Sequence, residues 1–304
     1  MKTILLPALL FAACDNKAAE ALLTCEGKNF EACYRDGVAA STEARPRFSE
    51  ARKSFSAACM EIHHAQSCNE LARLVRDAKG GPRDVKRAVD LFGIACKGEV
   101  HTACVDLGLL LYKGELLKAP APERAVELFT TECARVDAAS LPPEGPHPLA
   151  NACVALGTAY EEGKGVVPPR PDPARAAPLY LQACDARYAP GCVAAGNLSA
   201  SKKTRDGIAE AAADYDRACQ LDARQGCFEL ATLHANKAWP DASDASASEY
   251  YQKTCNIDPT RGCFEAGQLM ESGRIAAREG EIEYLYNLAC EHGHTEACAR
   301  RNLE

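Results

Sequence analysis

Residues 87–115 read RAVDLFGIACKGEVHTACVDLGLLLYKGE, and this stretch decides the fold. It holds two cysteines, Cys96 and Cys104, with seven residues between them and an apolar segment on either side. Before Cys96, the apolar residues Ala88 and Phe92 stand at helical spacing on one face. The stretch therefore predicts a helix, a short turn and a second helix, with one cysteine on either side of the turn.

The same cysteine pattern recurs along the chain. Sixteen of the seventeen cysteines form ordered pairs, whose first members follow one another by 34, 37, 37, 51, 35, 36 and 35 residues. The pairs are Cys25/Cys33, Cys59/Cys68, Cys96/Cys104, Cys133/Cys153, Cys184/Cys192, Cys219/Cys227, Cys255/Cys263 and Cys290/Cys298. A period of this length is the signature of a repeat solenoid. We predict an all-α fold, an α/α superhelical solenoid of about seven to eight disulfide-clipped helical hairpin repeats over residues 25–304.

Positions counted from the cysteines predict the core. Four residues before the first cysteine stand Phe55, Phe92, Phe129, Tyr180, Tyr215, Tyr251 and Tyr286. We interpret these aromatics as the buried stripe of an amphipathic helix, and a binding platform is the alternative. Four residues after the second cysteine stand Ala72, Gly108, Gly157, Gly196, Ala231 and Gly267. These small residues predict close approach of a neighbouring helix backbone.

Paired cysteines in a helical hairpin allow two chemistries. Two antiparallel helices joined by a short turn can bring the cysteine Cα atoms to the roughly 5–6 Å that a disulfide needs. Seventeen cysteines are also too many for a reducing cytosol unless they bind metal. Zinc is the competing use, but one pair per hairpin supplies only two of its four ligands. We therefore expect disulfides, with no metal site and no cofactor.

The N-terminus predicts export. Residues 1–13 have the form of a signal peptide, with Lys2 before the apolar run Ile4–Ala13, which is too short to span a bilayer as a helix. The following Cys14 completes LFAAC, which resembles the lipobox of bacterial lipoproteins, where the cysteine is lipidated and becomes the new N-terminus. An ordinary cleaved signal is the alternative. We expect a lipid-anchored linker over residues 14–24 and a location in the cell envelope, in the periplasm or at the outer surface.

The repeat itself resembles a known family. Residues 87–115 and the related segments RAVELFTTEC, ACVALGTAYEEGKGV and GCFEAGQLMESG are similar to Sel-one-like repeats, an α/α repeat related to the tetratricopeptide repeat. The cysteine pair in each hairpin resembles the secreted, cysteine-rich Hcp-type proteins. That resemblance implies penicillin binding and weak β-lactamase activity as an alternative function.

Local signals mark where the repeats start and where they depart from the pattern. Pro122 and a capping box from Ser246 to Glu249 predict helix starts. Two proline-rich insertions, at 134–152 and 165–173, interrupt the middle of the array. Because Pro178 falls six residues before Cys184, we expect the helix there to start late or to kink.

Candidate catalytic groups are few. One Ser-x-x-Lys occurs, Ser199 to Lys202, but the partner motifs of the serine β-lactamases do not follow it. The histidine pairs His63/His64 and His292/His294 lack a carboxylate at ligand spacing. The sequence therefore assigns no catalytic residue and no metal ligand, and whether the protein is an enzyme stays open. The site residues that it does assign are the sixteen paired cysteines, as disulfides, and Cys14, as the lipidation site.

Composition and charge narrow the function further. The net charge of −7 and the pI near 5.6 give no basic footprint for nucleic acid or for anionic membranes. A solenoid presents a long surface, and loops on such scaffolds carry recognition. We therefore expect a monomeric scaffold for an unidentified protein or peptide partner, touching the membrane only through its anchor, with partner contacts at the two insertions. Binding or slow hydrolysis of β-lactams or cell-wall peptides is the alternative.

Overall fold

The computed structural model describes Cys25, residues 30–114 and 120–137, Ala139 and residues 141–301. Over these residues the chain forms fifteen α-helices and no strand. They are α1 Phe30–Thr42, α2 Phe48–Ile62, α3 Ala65–Arg76, α4 Val85–Lys97, α5 His101–Lys113, α6 Pro122–Cys133, α7 Ala150–Glu162, α8 Pro173–Asp185, α9 Ala189–Ser201, α10 Arg205–Gln220, α11 Arg224–Ala235, α12 Asp244–Ile257, α13 Pro259–Glu271, α14 Glu281–Glu291 and α15 Thr295–Arg301.

The helices belong to two compact units that divide between Pro120 and Ala121. Within each unit every helix packs on the next helix of the chain, which is the packing of an α/α solenoid. In the second unit α9 also packs on α7 and α11, so the helices that carry the second cysteines lie side by side in a row. The predicted all-α solenoid class is confirmed.

Helix starts follow the local sequence with one correction. Pro122 is the first residue of α6, as its fixed φ predicts. The start of α12 lies one turn earlier than the predicted capping box, because the Ser243 side chain accepts a hydrogen bond from the Ser246 N–H at 3.1 Å. A serine three residues before the box therefore caps this helix, and the Ser246 prediction is wrong.

Pro178 does not delay its helix. α8 begins at Pro173 and continues through Pro178 to Asp185. Of the two predicted outcomes, the late start is therefore wrong, and the kink stays a prediction. The Asp172 side chain caps the helix by accepting a hydrogen bond from the Arg175 N–H at 3.1 Å, which fixes the first turn ahead of the proline.

The predicted aromatic stripe forms the core. All seven aromatics that stand four residues before a first cysteine are at most 4% exposed. Each ring of this set that faces a glycine covers the glycine of the preceding helix. A Cβ atom added at Gly157 or Gly196 would lie 2.5 or 2.6 Å from a ring carbon of Tyr180 or Tyr215. The small residues therefore make room for a ring, and the prediction of a neighbouring backbone there is wrong.

We call this contact between ring and small residue an aromatic seam. It joins a helix that carries a second cysteine to the next helix of the chain. The pairs are Gly37–Phe55, Gly157–Tyr180, Gly196–Tyr215 and Gly267–Tyr286. Ala231 and Tyr251, at the same positions of another repeat, belong to one buried cluster. Ala72 and Phe92 hold the corresponding positions on α3 and α4.

The cysteine pairs form the other kind of seam. Each of the eight pairs is joined by a disulfide, with Cα–Cα distances from 4.2 to 4.8 Å. From Cys59–Cys68 onward, each disulfide joins the helix before a turn to the helix after it, so aromatic and disulfide seams alternate along this part of the chain. The repeated residues therefore lie in these two kinds of seam. A functional site is to be sought on the turns and on the outer faces of the helices.

Candidate interaction surface

The sixteen cysteines that the sequence assigned as disulfide residues are paired in the structure as predicted. Six of them have no exposed area: Cys33, Cys59, Cys68, Cys153, Cys192 and Cys263. A partner or a ligand cannot reach a side chain that is fully buried, so these six residues serve the fold.

The burial of these sulfurs has a simple geometric cause. The second cysteine of a pair lies one turn inside its helix, where its Sγ faces the carbonyl of the first cysteine. The distance is 3.8 Å from Cys68 Sγ to Cys59 O and 3.9 Å from Cys263 Sγ to Cys255 O. Spacing in the sequence predicted the pairing but could not show how deep the pair lies.

The tyrosine seams of the second unit place hydroxyl groups at the helix surface. Tyr180 donates a hydrogen bond to Glu161 Oε2 at 2.6 Å, and Tyr215 donates to Asn197 Oδ1 at 2.7 Å. The Tyr251 hydroxyl lies 3.2 Å from Thr232 Oγ1. Each partner stands five or eight residues after a second cysteine, on the helix that carries the small residue. A buried phenol needs such a partner, so ring and partner occur together.

Burial changes the acidity of these phenols. It raises the pKa of Tyr215 to about 12, with the nearby carboxylates of Glu229 and Asp214 adding to the effect. It also raises the pKa of Tyr286 to about 12, together with the hydrogen bond to Glu271. Both rings are therefore neutral at physiological pH and act as hydrogen-bond donors rather than as acids.

In the first unit, the ring of Phe92 has charged neighbours in place of a hydrogen-bond acceptor. At Phe92 the position five residues after the second cysteine is Arg73 and the position eight after it is Arg76, whose guanidinium lies 5.7 Å from the centre of the ring. Both arginines also contact Asp106 of α5, at 3.1 and 3.0 Å. The ring here meets a cation rather than an acceptor, which matches the absence of a hydroxyl.

The first insertion is tied to the next hairpin. We call residues 141–149 the strap. Its His147 N–H donates to Ala186 O at 3.0 Å, and Arg187 donates to Pro142 O at 3.4 Å. Leu149 is buried, as is Ala186 beneath the strap. The segment therefore covers the turn between α8 and α9 instead of standing free.

One side chain completes this cover. The Gln182 amide on α8 donates hydrogen bonds to Cys133 O at 3.3 Å and to Val136 O at 3.0 Å. Val136 itself is buried. Gln182 thereby closes the space between the turn after α6 and the end of α8.

The second insertion folds back on its own helices. Gly165 has a φ of +74°, and a Cβ atom there would lie 2.5 Å from Pro122 O, so a side chain is excluded on two grounds. Asp172 N–H donates to Tyr160 O at 2.7 Å, and the Arg175 guanidinium lies 4.0 Å from the centre of the Tyr160 ring. Val167 is the prominent exposed side chain of this segment, at 86%.

Two turns of the second unit leave the corresponding edge open. Leu221 and Ile257 stand two residues after a first cysteine, as Ala186 does. Ala186 is fully buried under the strap, whereas Leu221 is 36% and Ile257 45% exposed. Between the turn after α10 and the end of α12 lies a groove of about 320 Å³. We call it the edge groove, and its walls include Asp216, Gln220, Asp222, Lys253, Asn256 and Ile257.

The histidines act in local structure. His64 and His294 each stand four residues before a second cysteine, at the start of α3 and of α15. Their Nδ1 atoms accept hydrogen bonds from Ser67 N–H at 3.3 Å and from Ala297 N–H at 3.2 Å. Both histidines therefore cap helices. The described residues contain no group of three or more His, Cys, Asp or Glu side chains that could hold a metal ion.

His234 is the buried histidine of α11. It stacks on Tyr250, with ring centres 5.6 Å apart, and its Nδ1 accepts a hydrogen bond from the Ser243 N–H at 3.2 Å. Burial, followed by the charge of Lys237, lowers the pKa of His234 against the opposing effect of Asp216 and Glu249. The neutral ring is therefore the stable form in this position.

The Ser-x-x-Lys motif does not form a nucleophile and base. Ser199 Oγ donates to Glu210 Oε2 at 3.3 Å, and Lys202 Nζ lies 2.5 Å from the same oxygen. The hydrogen bond from Lys202 lowers the pKa of Glu210, so the ion pair is the stable state. Both side chains therefore meet at Glu210, and this contact is not the serine–base hydrogen bond that an activated serine needs.

Cys14, the predicted lipidation site, and the predicted signal peptide over residues 1–13 lie outside the described residues. No helix among the described residues is long and apolar enough to cross a membrane.

The fold and its seams define an α/α repeat protein in which disulfides clip successive helices. Comparison with protein families then names the repeat. The Sel1 repeat profile matches residues 65–99, 101–131 and 150–188, so these three segments have the pattern of Sel1 repeats. Comparison with curated proteins gives no match.

Solved structures show the same fold. A protective antigen present in uropathogenic Escherichia coli strains, described as displaying an SLR fold, matches 92% of this chain at 14% identity, with a TM-score of 0.68. The chain covers 57% of that protein's length. A Sel1 repeat protein from Oxalobacter formigenes matches 90% of this chain at 17% identity, with a TM-score of 0.66 and 76% of its own length covered.

The Sel1 matches also correct the frame of the repeat. The match over 65–99 begins at α3 and ends just after α4, so one Sel1 repeat holds the two helices that an aromatic seam joins. The disulfides therefore lie between neighbouring Sel1 repeats. The prediction had placed each disulfide within a repeat, because it used the cysteines themselves to mark the repeat.

Proposed function

We propose that this protein is an exported scaffold of the cell envelope, held by a lipid on Cys14, that binds protein partners through the surface of its repeats. The observation that supports it best is that the residues that hold the fold together differ from the residues on the surface. Rings, small residues and cysteines recur in the seams, whereas the turns and outer faces differ from repeat to repeat. Surfaces that vary on a constant framework are what recognition requires.

The disulfides support the proposed location. Eight disulfides in one chain need an oxidising compartment, such as the periplasm or the outside of the cell. The proposed domain plan is a signal peptide over 1–13, a lipidated linker over 14–24 and the repeat body over 25–304. The body is proposed to act as a monomer.

The anchor is tested by Cys14→Ser. We expect the variant to leave the membrane fraction while its helix content and its disulfides match those of the wild type. Cys14→Ala is the matched control for the chemistry of serine and should behave identically. Membrane retention of both variants would contradict the lipid anchor and leave the scaffold to be tested separately.

The scaffold is tested by cross-linking on intact cells followed by purification of the anchored protein. We expect the same defined set of partner proteins in repeated experiments, and we expect it to be lost after the disulfides are reduced. Recovery of the same proteins with an unrelated lipid-anchored protein would mean that the repeat surface does not select partners.

A hydrolase is not proposed. That alternative rested on a family resemblance alone, and at the one Ser-x-x-Lys motif, Ser199 to Lys202, both side chains contact Glu210. No observation on the described residues favours β-lactam binding over the scaffold.

A further inference from the structure

The strap shows what kind of segment this scaffold binds at a turn. It is irregular, with a bend at residues 143–145, is rich in proline and is hydrogen-bonded to the turn through its backbone, from His147 N–H to Ala186 O. Side chains add little polar contact, since the other link is from Arg187 to the backbone of Pro142. A segment of any sequence with this conformation can make the same contacts.

The edge groove has the same position in the repeat but lacks that cover. Ile257 is the counterpart of Ala186, and Lys253 is the counterpart of Gln182, each counted from the first cysteine of its pair. Gln182 bridges to the carbonyls of the preceding turn, whereas Lys253 turns to Glu249, 3.1 Å away. An apolar floor and an open turn are therefore available where the strap would lie.

The charge of the groove differs from that of the strapped turn. Asp216 and Asp222 line the groove, and the lysine in its wall, Lys253, is paired with Glu249. The second unit as a whole carries 27 Asp and Glu against 18 Lys and Arg. The potential at the groove is therefore negative, and it favours a cationic occupant.

We infer that the edge groove is a docking site for an irregular, proline-containing peptide segment of a partner protein that carries Lys or Arg. This inference rests on the scaffold function proposed above and adds the chemistry of the partner. The segment lies against Ile257, donates a backbone N–H to the turn and places its cation beside Asp216 and Asp222.

A peptide made from the strap tests the site directly. The probe is a fluorescein-labelled peptide of residues 141–149 with Glu144→Lys, and the same peptide with the native Glu144 is its control. The full-length protein is titrated at low ionic strength, and anisotropy is measured. The tethered strap holds its own turn at a high effective concentration, so the free peptide reports the open groove.

Three variants locate the binding. Asp222→Lys reverses a groove charge and is expected to weaken binding of the lysine probe about tenfold. Ile257→Ala removes the apolar floor and is expected to weaken it several-fold. Glu283→Lys, on the exposed face of α14 and outside the groove, makes the same charge change as Asp222→Lys and is expected to leave binding unchanged.

The possible outcomes distinguish a failure of this inference from a failure of the proposed scaffold function. No binding of the probe, equal binding of the Glu144 peptide, or equal effects of Asp222→Lys and Glu283→Lys would overturn the inference. The cross-linking experiment is repeated with Asp222→Lys. If its partner set is unchanged while the peptide result is negative, the scaffold stands and the inference falls. If the wild type recovers no partner, both fall.

Discussion

The hairpins α6/α7 and α10/α11 share their seams but differ at their turns. Each is closed by a disulfide, and each is joined to a neighbouring helix by an aromatic seam. The turn after α6 is long, and its strap covers the next hairpin, whereas the turn after α10 is short and leaves Ile257 of the next hairpin exposed. The comparison shows that stability and recognition occupy different parts of the repeat, so one can change without the other.

The largest expected effect comes from removing the disulfides. Replacing Cys133 and Cys153 by alanine opens a link across 20 residues, and replacing Cys219 and Cys227 opens one across 8. From loop entropy we expect losses of about 3 kcal/mol each, with the longer link costing about 0.7 kcal/mol more. Urea unfolding measures both. A smaller loss for the Cys133/Cys153 pair would show that the strap, and not the disulfide, holds the long turn.

The next effect tests whether the seams are indeed alike. We expect Gly157→Ala on α7, the helix that directly follows the strap, and Gly196→Ala on α9 each to cost about 1–2 kcal/mol, because the added methyl meets a buried ring. Gly93→Ala in α4 is the control, since a Cβ atom there has open space, and it should stabilise the protein by up to about 1 kcal/mol.

Thermal unfolding of the three glycine variants gives the answer. A stabilising Gly196→Ala would contradict the aromatic seam. Costs at Gly157 and Gly196 that differ by more than about 0.5 kcal/mol would show that the strap also supports the seam.

A smaller effect concerns the strap alone. Gln182→Ala removes two hydrogen bonds to backbone carbonyls, and we expect a loss of about 1–2 kcal/mol with faster hydrogen exchange at His147 N–H. Lys253→Ala is the matched change at the open turn, where an exposed pair with Glu249 is lost, and we expect about 0.3–0.5 kcal/mol. Equal losses at the two positions would mean that the two turns do not differ as described.

The smallest effect is a pH dependence of stability that comes from His234 on α11, in the hairpin with the short turn. The lowered pKa of His234 means that the folded protein resists a proton which the unfolded chain takes up near its usual value of about 6.5. Stability is therefore complete above that value and is lost as the pH falls through the folded pKa. We expect His234→Gln, which keeps an acceptor for Ser243 N–H, to weaken this dependence. The measurement is the slope of the unfolding free energy between pH 7 and pH 5. If the variant and the wild type have the same slope, His234 is not the source of the pH dependence.

Sequence alone predicted the seams well, because they recur. Phe55, Tyr180 and the cysteines repeat at a fixed phase, and a repeated pattern reveals burial and pairing without any knowledge of tertiary structure. The role of Gly157 was misjudged because spacing shows that a site is small but not what fills it. The acceptors Glu161 and Asn197 were missed, although their fixed offset from the second cysteine was a usable signal.

The packing of the insertions is the part that the sequence could not predict. That the insertions carry partner contacts stays a prediction, and the structure adds that the strap packs on Ala186 and the second insertion on Tyr160. Such contacts join residues that do not recur from repeat to repeat, so no sequence pattern predicts them. Ile257 at the open turn was equally hidden, because its exposure depends on the absence of a strap at that turn.

Peptide mapping under non-reducing conditions tests the alternation of seams most directly. Thiols are blocked before digestion, so that no exchange occurs, and linked peptides are identified by mass spectrometry. We expect eight linkages, each joining the two cysteines of one pair, from Cys25–Cys33 to Cys290–Cys298. A linkage between pairs, such as Cys33 to Cys59, would contradict the register on which the seams, the strap and the edge groove all depend.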